Sequence, residues 1–368
     1  MKVKYLNFKE QWLEDQKNLL PIIKEVFSSG QYVGSMNKRI IKLEENIGKI
    51  CNTKYCTTLN SGTDALTMAL FALGIKKGDE VITPPNSYIA STGSIVHLGA
   101  KPVFVDVQDD LNIDPYKIEN AITSKTKAIM PVHLTGRVCE MNKIIQISKK
   151  YNIPIVEDCA QSFSSKYYNK ICGSFGKIGC FSAHPLKNLN AMGDAGFITT
   201  SIKEIAKKIK RFGNHGLITR DKAENFGYVS RMDIIQAAII DYRLKKYKNI
   251  VMKRRKNANY YFKNLDINNV FFSTEKKYQF NTYHTFIIQV NKRDSLIKNL
   301  KEKGIDTYIH YPIPIHLQKA AKKLGYKKGD FPITEKQSKK ILSLPIHQHL
   351  SENQLDYVCN EINKFYKK

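Results

Sequence analysis

The chain lacks the segments that anchor proteins in membranes or export them. No apolar run of the roughly 18 residues that a membrane helix needs occurs in the sequence, and its first residues include no apolar signal region. We therefore expect a cytoplasmic protein with no membrane partner. The seven cysteines form no CxxC pair and have no histidine at zinc-binding spacing, so we predict reduced thiols and no metal site.

Two common nucleotide-binding signatures are also missing. The chain contains neither the GxGxxG of dinucleotide-binding domains nor the GxxxxGK[ST] of P-loops. Both motifs place glycine-rich backbone against phosphate groups at the start of a helix. The sequence therefore supports neither a Rossmann dinucleotide site nor a P-loop.

Acidic residues are scarce relative to basic ones. The 59 Lys and Arg residues against 33 Asp and Glu give a net charge of +26, a balance that is typical of nucleic-acid-binding proteins. However, the lysines are scattered over nearly every predicted helix, and no DNA-binding motif accompanies them. We predict no nucleic-acid partner and interpret the basic surface as suited to an anionic small molecule.

Short strands and helices alternate through the first 200 residues. This alternation is typical of a mostly parallel, doubly wound α/β sheet. We predict a first helix at 17–27 and one long helix at 234–265 that links two domains. Beyond it we expect strands at 283–290 and 307–311 around a helix at 295–303, with helices to the end. The predicted domains are a large one at 1–249 and a smaller α/β one at 250–368.

A candidate phosphate site lies between the first predicted strand and the helix that follows it. Ser61, Gly62 and Thr63 join the strand at 55–59 to an apolar helix from residue 65. A helix amino terminus offers free N–H groups and a positive dipole end, and glycine lets the backbone come close to a ligand. The alternative is an ordinary Ser, Thr or Asp helix cap.

The stretch 155–200 carries the groups on which the functional prediction depends. Glu157 and Asp158 follow an apolar strand at the carboxyl edge of the sheet, where ligands of such sheets bind. Lys187 follows the next strand within a segment that Pro185 keeps from being helical. A lysine amine and a carboxylate at one sheet edge are what pyridoxal phosphate needs, for its Schiff base and its ring nitrogen. Taken alone, the lysine also fits a solvated surface group, and an acidic residue after a strand also fits a helix cap or a loop.

Nine motifs in order resemble the DegT/DnrJ/EryC1/StrS family of sugar aminotransferases over nearly the whole chain. They are NSGTDAL (60–66), GDEVIT (78–83), GAKPVFVD (99–106), EDCAQ (157–161), CFSAHPLKNL (180–189), GDAG (193–196), NHG (214–216), SRMDIIQAA (230–238) and IHYPIPIH (309–316). The resemblance implies the aspartate-aminotransferase fold (PLP fold type I) and pyridoxal 5'-phosphate as the cofactor.

The resemblance also implies roles for individual residues. Lys187 matches the catalytic Schiff-base lysine, and Asp158 matches the carboxylate that pairs with the cofactor's ring nitrogen. The other matching cofactor-binding positions are Gln161 for the ring hydroxyl, Tyr88 for stacking, and Gly62, Thr63 and Ser182 for the phosphate. The matching substrate-binding positions are Tyr32, His184, His310, Tyr311 and His316.

The implied reaction moves an amino group from glutamate to a nucleotide-linked keto sugar. We expect a dTDP-linked keto-6-deoxyhexose, an amino-sugar product for polysaccharide or glycan synthesis, and a homodimer. Val229 departs from the family, because many relatives have an Asn there that reaches the cofactor phosphate across the dimer interface. The alternatives are a dehydratase of the same family, in which His replaces the lysine, and a non-catalytic pyridoxal-phosphate-binding regulator.

Overall fold

The computed structural model describes residues 1–367 and is built around a seven-stranded sheet. The strands of the described chain are β1 (Tyr55–Leu59), β2 (Glu80–Thr83), β3 (Lys101–Phe104), β4 (Thr126–Ile129), β5 (Val156–Asp158), β6 (Lys166–Tyr167), β7 (Lys170–Ile171), β8 (Ile178–Ser182), β9 (Gly196–Thr200), β10 (Leu217–Thr219), β11 (Lys222–Ala223), β12 (Val270–Phe271), β13 (Gln279–Phe280), β14 (Phe286–Val290) and β15 (Ile341–Leu344).

Helices connect most of these strands. They are α1 (Phe8–Ser28), α2 (Lys38–Cys51), α3 (Gly62–Ala72), α4 (Ile89–His97), α5 (Pro115–Ile118), α6 (Met141–Tyr151), α7 (Lys203–Phe212), α8 (Ile234–Asn264), α9 (Arg293–Glu302), α10 (Pro332–Ser338) and α11 (Glu352–Lys367). Short 3₁₀ turns occupy Glu119–Ala121, Leu134–Gly136, Ile315–Leu317 and Lys319–Leu324.

The large sheet has the order β3-β2-β4-β5-β8-β9-β1. Strands β4 and β5 meet through the parallel bridges Ile129–Ile155 and Val132–Asp158, which join the two halves of the sheet. Only β9 runs antiparallel to its neighbours, β8 and β1. The predicted mostly parallel α/β sheet is therefore confirmed.

The strands are buried on both faces because their side chains alternate between two apolar layers. Ile82 and Phe181 lie in the layer that α2, α6 and the start of α8 cover. Val81 and Cys180, one position away, lie in the opposite layer with α3 and α7. A strand that is covered on both faces needs the nearly continuous apolar composition seen here.

A second core forms in the carboxyl-terminal part of the chain. Strands β12, β14 and β15 form an antiparallel sheet against α9 and α11. The far end of α8 contributes Ala258 and Tyr261 to this core, whereas its first half packs on the large sheet. The amino terminus joins the second core through Val3, which forms a bridge with Ile305.

The structure corrects three predicted elements. Helix α1 begins at Phe8 rather than near 17, because the Asn7 side chain caps it by accepting from the Glu10 N–H. The predicted strand at 307–311 is reduced to one bridge, between Tyr308 and Ser343. The partner in that bridge belongs to β15, a strand within the region that we predicted to be helical. Within residues 1–367, no helix is long and apolar enough to cross a membrane.

Candidate active site

A cavity of about 560 Å³ lies at the carboxyl ends of β5 and β8. Its wall also includes residues of the carboxyl-terminal part of the chain and of the amino-terminal segment. Ten of the twelve predicted site residues line it, namely Gly62, Thr63, Tyr88, Asp158, Gln161, Ser182, His184, Lys187, His310 and Tyr311. The fold therefore brings together groups as far apart in the sequence as Gly62 and Tyr311.

Lys187 is presented by a tight turn after β8. Its own N–H donates to the His184 carbonyl at 2.8 Å, and the His184 ring accepts from the Leu186 N–H at 3.2 Å. The side chain stays partly accessible through the cavity, while the surrounding protein removes most water from the amine. This burial lowers the pKa of Lys187 to about 8, and the nearby Asp158 carboxylate opposes part of the shift.

Asp158 lies buried at the end of β5 and faces the same cavity. One carboxylate oxygen accepts from the Ser91 hydroxyl at 2.7 Å, and the other accepts from the Ala160 N–H at 3.1 Å. Burial raises the pKa of Asp158, and the two donors and the Lys187 amine act against that shift. A carboxylate with so few donors in a buried place is suited to pair with a cationic ligand group.

Glu157 points to the other side of the sheet, which corrects our expectation that both acidic residues face the site. Successive side chains of a strand alternate between faces, so only one of the two can reach the cavity. The Glu157 carboxylate accepts from the N–H groups of Gly173, Phe175 and Gly176 at 2.7–2.8 Å, and lies 3.1 Å from His133 Nε2. It holds the turn after β7 in place.

His133, Glu157 and Cys159 also bring three potential metal ligands within 4.8 Å of one another. The His133 ring nitrogen away from Glu157 accepts from the Cys139 N–H at 3.2 Å, so both of its nitrogens are used. Burial raises the pKa of the Cys159 thiol well above its usual value, which disfavours the thiolate that a metal would bind. We interpret the cluster as a structural hydrogen-bond network.

The predicted phosphate site is the amino terminus of α3. Ser61 caps the helix by accepting from the Asp64 N–H at 3.0 Å, which leaves the Gly62 and Thr63 N–H groups without an acceptor in residues 1–367. A Cβ atom added to Gly62 would lie 2.6 Å from Ser182 Cβ, so only glycine allows this approach between helix and strand. The concave backbone fits a phosphate group.

Part of the cavity wall consists of neutral aromatic rings. Burial and the Lys187 amine lower the pKa of His310 to about 4, and its Nδ1 lies 2.9 Å from the Ser343 hydroxyl. Tyr311 accepts from the Gln161 side-chain amide at 3.1 Å and lies 5.9 Å from the Tyr88 ring. These contacts connect the carboxyl-terminal segment to the edge of the large sheet.

Two predicted residues do not line the cavity of this chain. Tyr32 is exposed, and its carbonyl accepts from the Ile234 N–H at 2.9 Å, at the start of α8. His316 is buried and pairs with Glu335 at 3.0 Å, with Phe331 packed against its ring. Their proposed contacts with substrate stay predictions.

Ser91, His284 and Tyr5 are among the cavity residues that the sequence did not reveal. Ser91 belongs to α4, and nothing in that segment marks it as the hydroxyl that bonds Asp158. His284 lies in the wall with its Nδ1 unpaired, and burial lowers its pKa well below the usual histidine value. Tyr5 arrives from the amino terminus and stacks on His310 at 5.9 Å between centroids. Only the tertiary fold brings these residues here.

The arrangement fits pyridoxal phosphate. The α3 amino terminus suits its phosphate, Lys187 suits its aldehyde, and the buried Asp158 suits its protonated ring nitrogen. The cavity and the seven-stranded sheet together define a pyridoxal-phosphate-dependent aminotransferase of fold type I.

Comparison with known proteins identifies the family. The model of the DegT/DnrJ/EryC1/StrS aminotransferase family matches residues 14–363, and the chain belongs to this family. A "pleiotropic regulatory protein" of Geobacillus stearothermophilus is 38% identical, with 100% of this chain and 99% of the relative covered. The dTDP-3-amino-3,6-dideoxy-alpha-D-galactopyranose transaminase of Aneurinibacillus thermoaerophilus is 37% identical, with 99% of each chain covered.

A solved structure extends the agreement to three dimensions. The crystal structure of DesV from S. venezuelae, in complex with a ketimine intermediate, has a TM-score of 0.96 to this chain. The two are 32% identical, and the match covers 100% of this chain and 99% of DesV. The predicted family, fold type and cofactor are therefore confirmed.

Proposed function

We propose that this protein transfers an amino group from glutamate to the keto group of a dTDP-linked keto-6-deoxyhexose. The observation that carries the proposal is the Lys187 amine in one cavity with the buried Asp158 carboxylate and the open amino terminus of α3. The transaminase from Aneurinibacillus thermoaerophilus, whose name specifies a dTDP-linked amino-dideoxyhexose, supports the choice of sugar. The product would serve polysaccharide or glycan synthesis in the cytoplasm.

Lys187 and Asp158 have distinct tasks in this reaction. Pyridoxal phosphate, when bound, supplies an electron sink for the carbon that loses its proton. Lys187 carries that proton, since an amine with a pKa of about 8 exists in both protonation states near neutrality. Asp158 keeps the ring nitrogen protonated, and Ser91 and Ala160 keep the Asp158 carboxylate aimed into the cavity.

The cofactor contacts outside the Lys187–Asp158 pair are part of the same proposal. Gly62, Thr63 and Ser182 hold the phosphate, and Tyr88 stacks on the ring. Gln161 is bonded to the Thr135 N–H at 2.8 Å and to Tyr311, so its amide is fixed in direction before a ligand arrives. Fixed polar groups lose little freedom on binding, which favours both affinity and rate.

The sugar would lie against the wall of His184, His310 and Tyr311. The His310 ring is neutral at the pH of the cell because of its lowered pKa, and neutral rings suit the hydroxyl groups of a sugar. The net charge of +26 favours approach of the anionic diphosphate. Tyr32 and His316 lie outside this cavity. Each would therefore contact substrate in the cavity of a partner subunit, or influence substrate binding through the residues beside it.

A homodimer is the expected assembly. The loop between α7 and α8 exposes Phe226, Tyr228 and Val229, and the segment after α1 exposes Tyr32 and Met36. Large exposed apolar side chains on neighbouring segments are typical of interfaces. Val229 has no side-chain donor, so another group must contact the phosphate if this loop reaches the partner's cavity. The division into domains at 1–249 and 250–368 is part of the same proposal.

A substrate panel tests the proposal. The protein is loaded with pyridoxamine phosphate and mixed with keto sugars carried by dTDP, UDP or GDP, and return of the cofactor absorbance is followed. We expect the dTDP-linked keto-6-deoxyhexose to react fastest, with an amino sugar as the product by mass spectrometry. A faster reaction with a UDP- or GDP-linked sugar would overturn the choice of nucleotide, and a deoxygenated product would indicate the dehydratase.

A regulatory role is the second candidate, because the Geobacillus relative is named a regulatory protein. It predicts salt-sensitive binding to DNA together with no turnover of any keto sugar. Gel-shift titration at two salt concentrations, alongside the substrate panel, separates the two roles. Turnover with no DNA shift supports the enzyme alone.

A further inference from the structure

The segment that carries Lys187 is a closed loop, residues 183–191. Its two ends meet because the Ala191 N–H donates to the Ala183 carbonyl at 2.8 Å. The Ala183 N–H in turn donates to the Ala195 carbonyl at 2.8 Å, which anchors the start of the loop next to β9. Within the loop, Asn190 donates from Nδ2 to the Pro185 carbonyl at 2.7 Å. This bond crosses the loop and fixes the backbone two residues before Lys187.

Asn190 is itself held from two helices. Its side-chain oxygen accepts from Gln11 Nε2 of α1 at 3.0 Å and from Arg243 Nη1 of α8 at 3.0 Å. Arg243 Nη1 also donates to the backbone carbonyls of Asn190 and Ala191, at 3.0 and 3.2 Å. One asparagine therefore joins the lysine loop to both helices.

The network is buried and charged, so its geometry is closely fixed. Gln11, Asp15, Asn190 and Arg243 are all buried. Arg243 Nε donates to Asp15 at 3.2 Å, and Lys246 reaches the other Asp15 oxygen at 3.1 Å. Buried polar groups of this kind are costly unless every partner is in place, which favours a single arrangement of the network.

None of these four buried residues lines the cavity, so the network cannot bind substrate directly. Its contacts with the backbone of Pro185, Asn190 and Ala191 connect it to the lysine loop instead. We propose that Asn190 is a positioning residue. Its hydrogen bonds connect α1 and α8 to this loop and so determine the position of the Lys187 amine. The inference rests on the proposed role of Lys187.

The variant Asn190→Asp removes the hydrogen bonds that the Asn190 amide group donates. It keeps a side-chain oxygen that accepts from Gln11 and Arg243, but it replaces the Nδ2 donor with an oxygen. That donor bonds the Pro185 carbonyl at 2.7 Å and, more weakly, Gln11 Oε1 at 3.3 Å, and the new oxygen repels both. The added negative charge lies next to the Arg243 guanidinium, and this attraction favours retention of the fold. Asn18→Ala is the matched control, because Asn18 of α1 bonds Tyr242 of α8 at 3.3 Å and, within residues 1–367, forms no hydrogen bond with the loop.

Two measurements read the position of the amine without any sugar substrate. The first is the rate at which pyridoxal phosphate becomes attached to Lys187, where nitrogen bonds the aldehyde carbon, water leaves, and borohydride fixes the bond for mass spectrometry. The second is hydrogen exchange of residues 183–191 in the cofactor-free protein. We expect Asn190→Asp to attach the cofactor about tenfold more slowly, since small misplacements of a reacting group cost one to two orders of magnitude. Exchange should rise in 183–191 alone.

The outcomes separate this inference from the proposed function. Attachment at the wild-type rate in Asn190→Asp, or equal slowing in Asn18→Ala, would overturn the role of Asn190. A general rise in exchange with a normal attachment rate would mean a merely structural residue and would also overturn it. Cofactor trapped on another lysine in the wild-type protein would instead overturn the proposed role of Lys187.

Discussion

Glu157 and Asp158 are neighbours in one strand, yet their carboxylates lie in two very different places. Glu157 has three backbone donors and His133 around it in a closed network. Asp158 has two donors and an open cavity, with Lys187 in reach of its charge. A carboxylate whose hydrogen bonds are complete stabilises the fold, whereas one that is left incomplete is available to a ligand.

The largest effect should come from the cavity side of this comparison, with Lys187→Ala. We expect amino transfer to fall by about 10³-fold or more, the scale of a positioned acid–base group. Thermal stability should hold or rise, because the substitution removes a buried amine. Single-turnover kinetics and calorimetry check both parts, and parental activity in the variant would refute the assigned role of Lys187.

Substituting the two acidic neighbours tests the comparison directly. Asp158→Asn should lower the rate about a hundredfold while the free energy of unfolding changes little, since Ser91 and Ala160 keep a partner. Glu157→Gln should instead cost about 1–3 kcal/mol of stability, because an amide group would face backbone donors. Denaturant titration and turnover per folded molecule provide the readouts, and the reverse pattern would remove the distinction.

The amino terminus of α3 faces the cavity and should be sensitive to the size of the residue at position 62. Gly62→Ala adds a Cβ atom at 2.6 Å from Ser182 Cβ, so we expect about tenfold weaker binding of pyridoxal phosphate as the helix moves away. Gly93→Ala is the control, because its added Cβ meets nothing within 4 Å. Fluorescence titration of both variants measures the affinities, and equal affinities would contradict the close fit.

The smallest predicted effect is a shift in the pH at which the Lys187 amine loses its proton. The folded pKa of Lys187, about 8, lies below the ordinary lysine value of 10.5. The folded protein therefore binds fewer protons than the unfolded chain between these values, and this residue's burial costs least stability above pH 10.5. Reductive methylation of the cofactor-free protein should show Lys187 reacting with a midpoint near pH 8, below that of exposed lysines. A midpoint near 10.5 would show that the amine is fully hydrated.

The sequence alone predicted most of the large sheet and the groups at its carboxyl edge. Apolar strands end at Asp158 and Ser182, and those ends meet in any parallel sheet, so the cavity followed from local patterns. The position of Glu157 did not follow, because a three-residue strand gives no clear signal of which face each side chain takes. The pleat of the folded strand decides it.

Contacts between distant segments account for the other differences. Ser343 lies in the region that we predicted to be helical but belongs to β15, where its pairing with Tyr308 replaces the strand that we expected at 307–311. Tyr5 lies in the cavity because the bridge from Val3 to Ile305 brings the amino terminus there. Pairings between segments so far apart carry no local pattern, so periodicity could not predict them.

Helix α8 has a mechanical consequence for the whole chain. At 31 residues it is about 46 Å long, and it belongs to both hydrophobic cores. If either core unfolds, half of α8 loses the side chains that pack against it. A helix in a protein owes most of its stability to such packing, so α8 would then be much less stable. We therefore expect the two cores to unfold together. A destabilising substitution in the carboxyl-terminal core should also destabilise the sheet edge that carries Lys187.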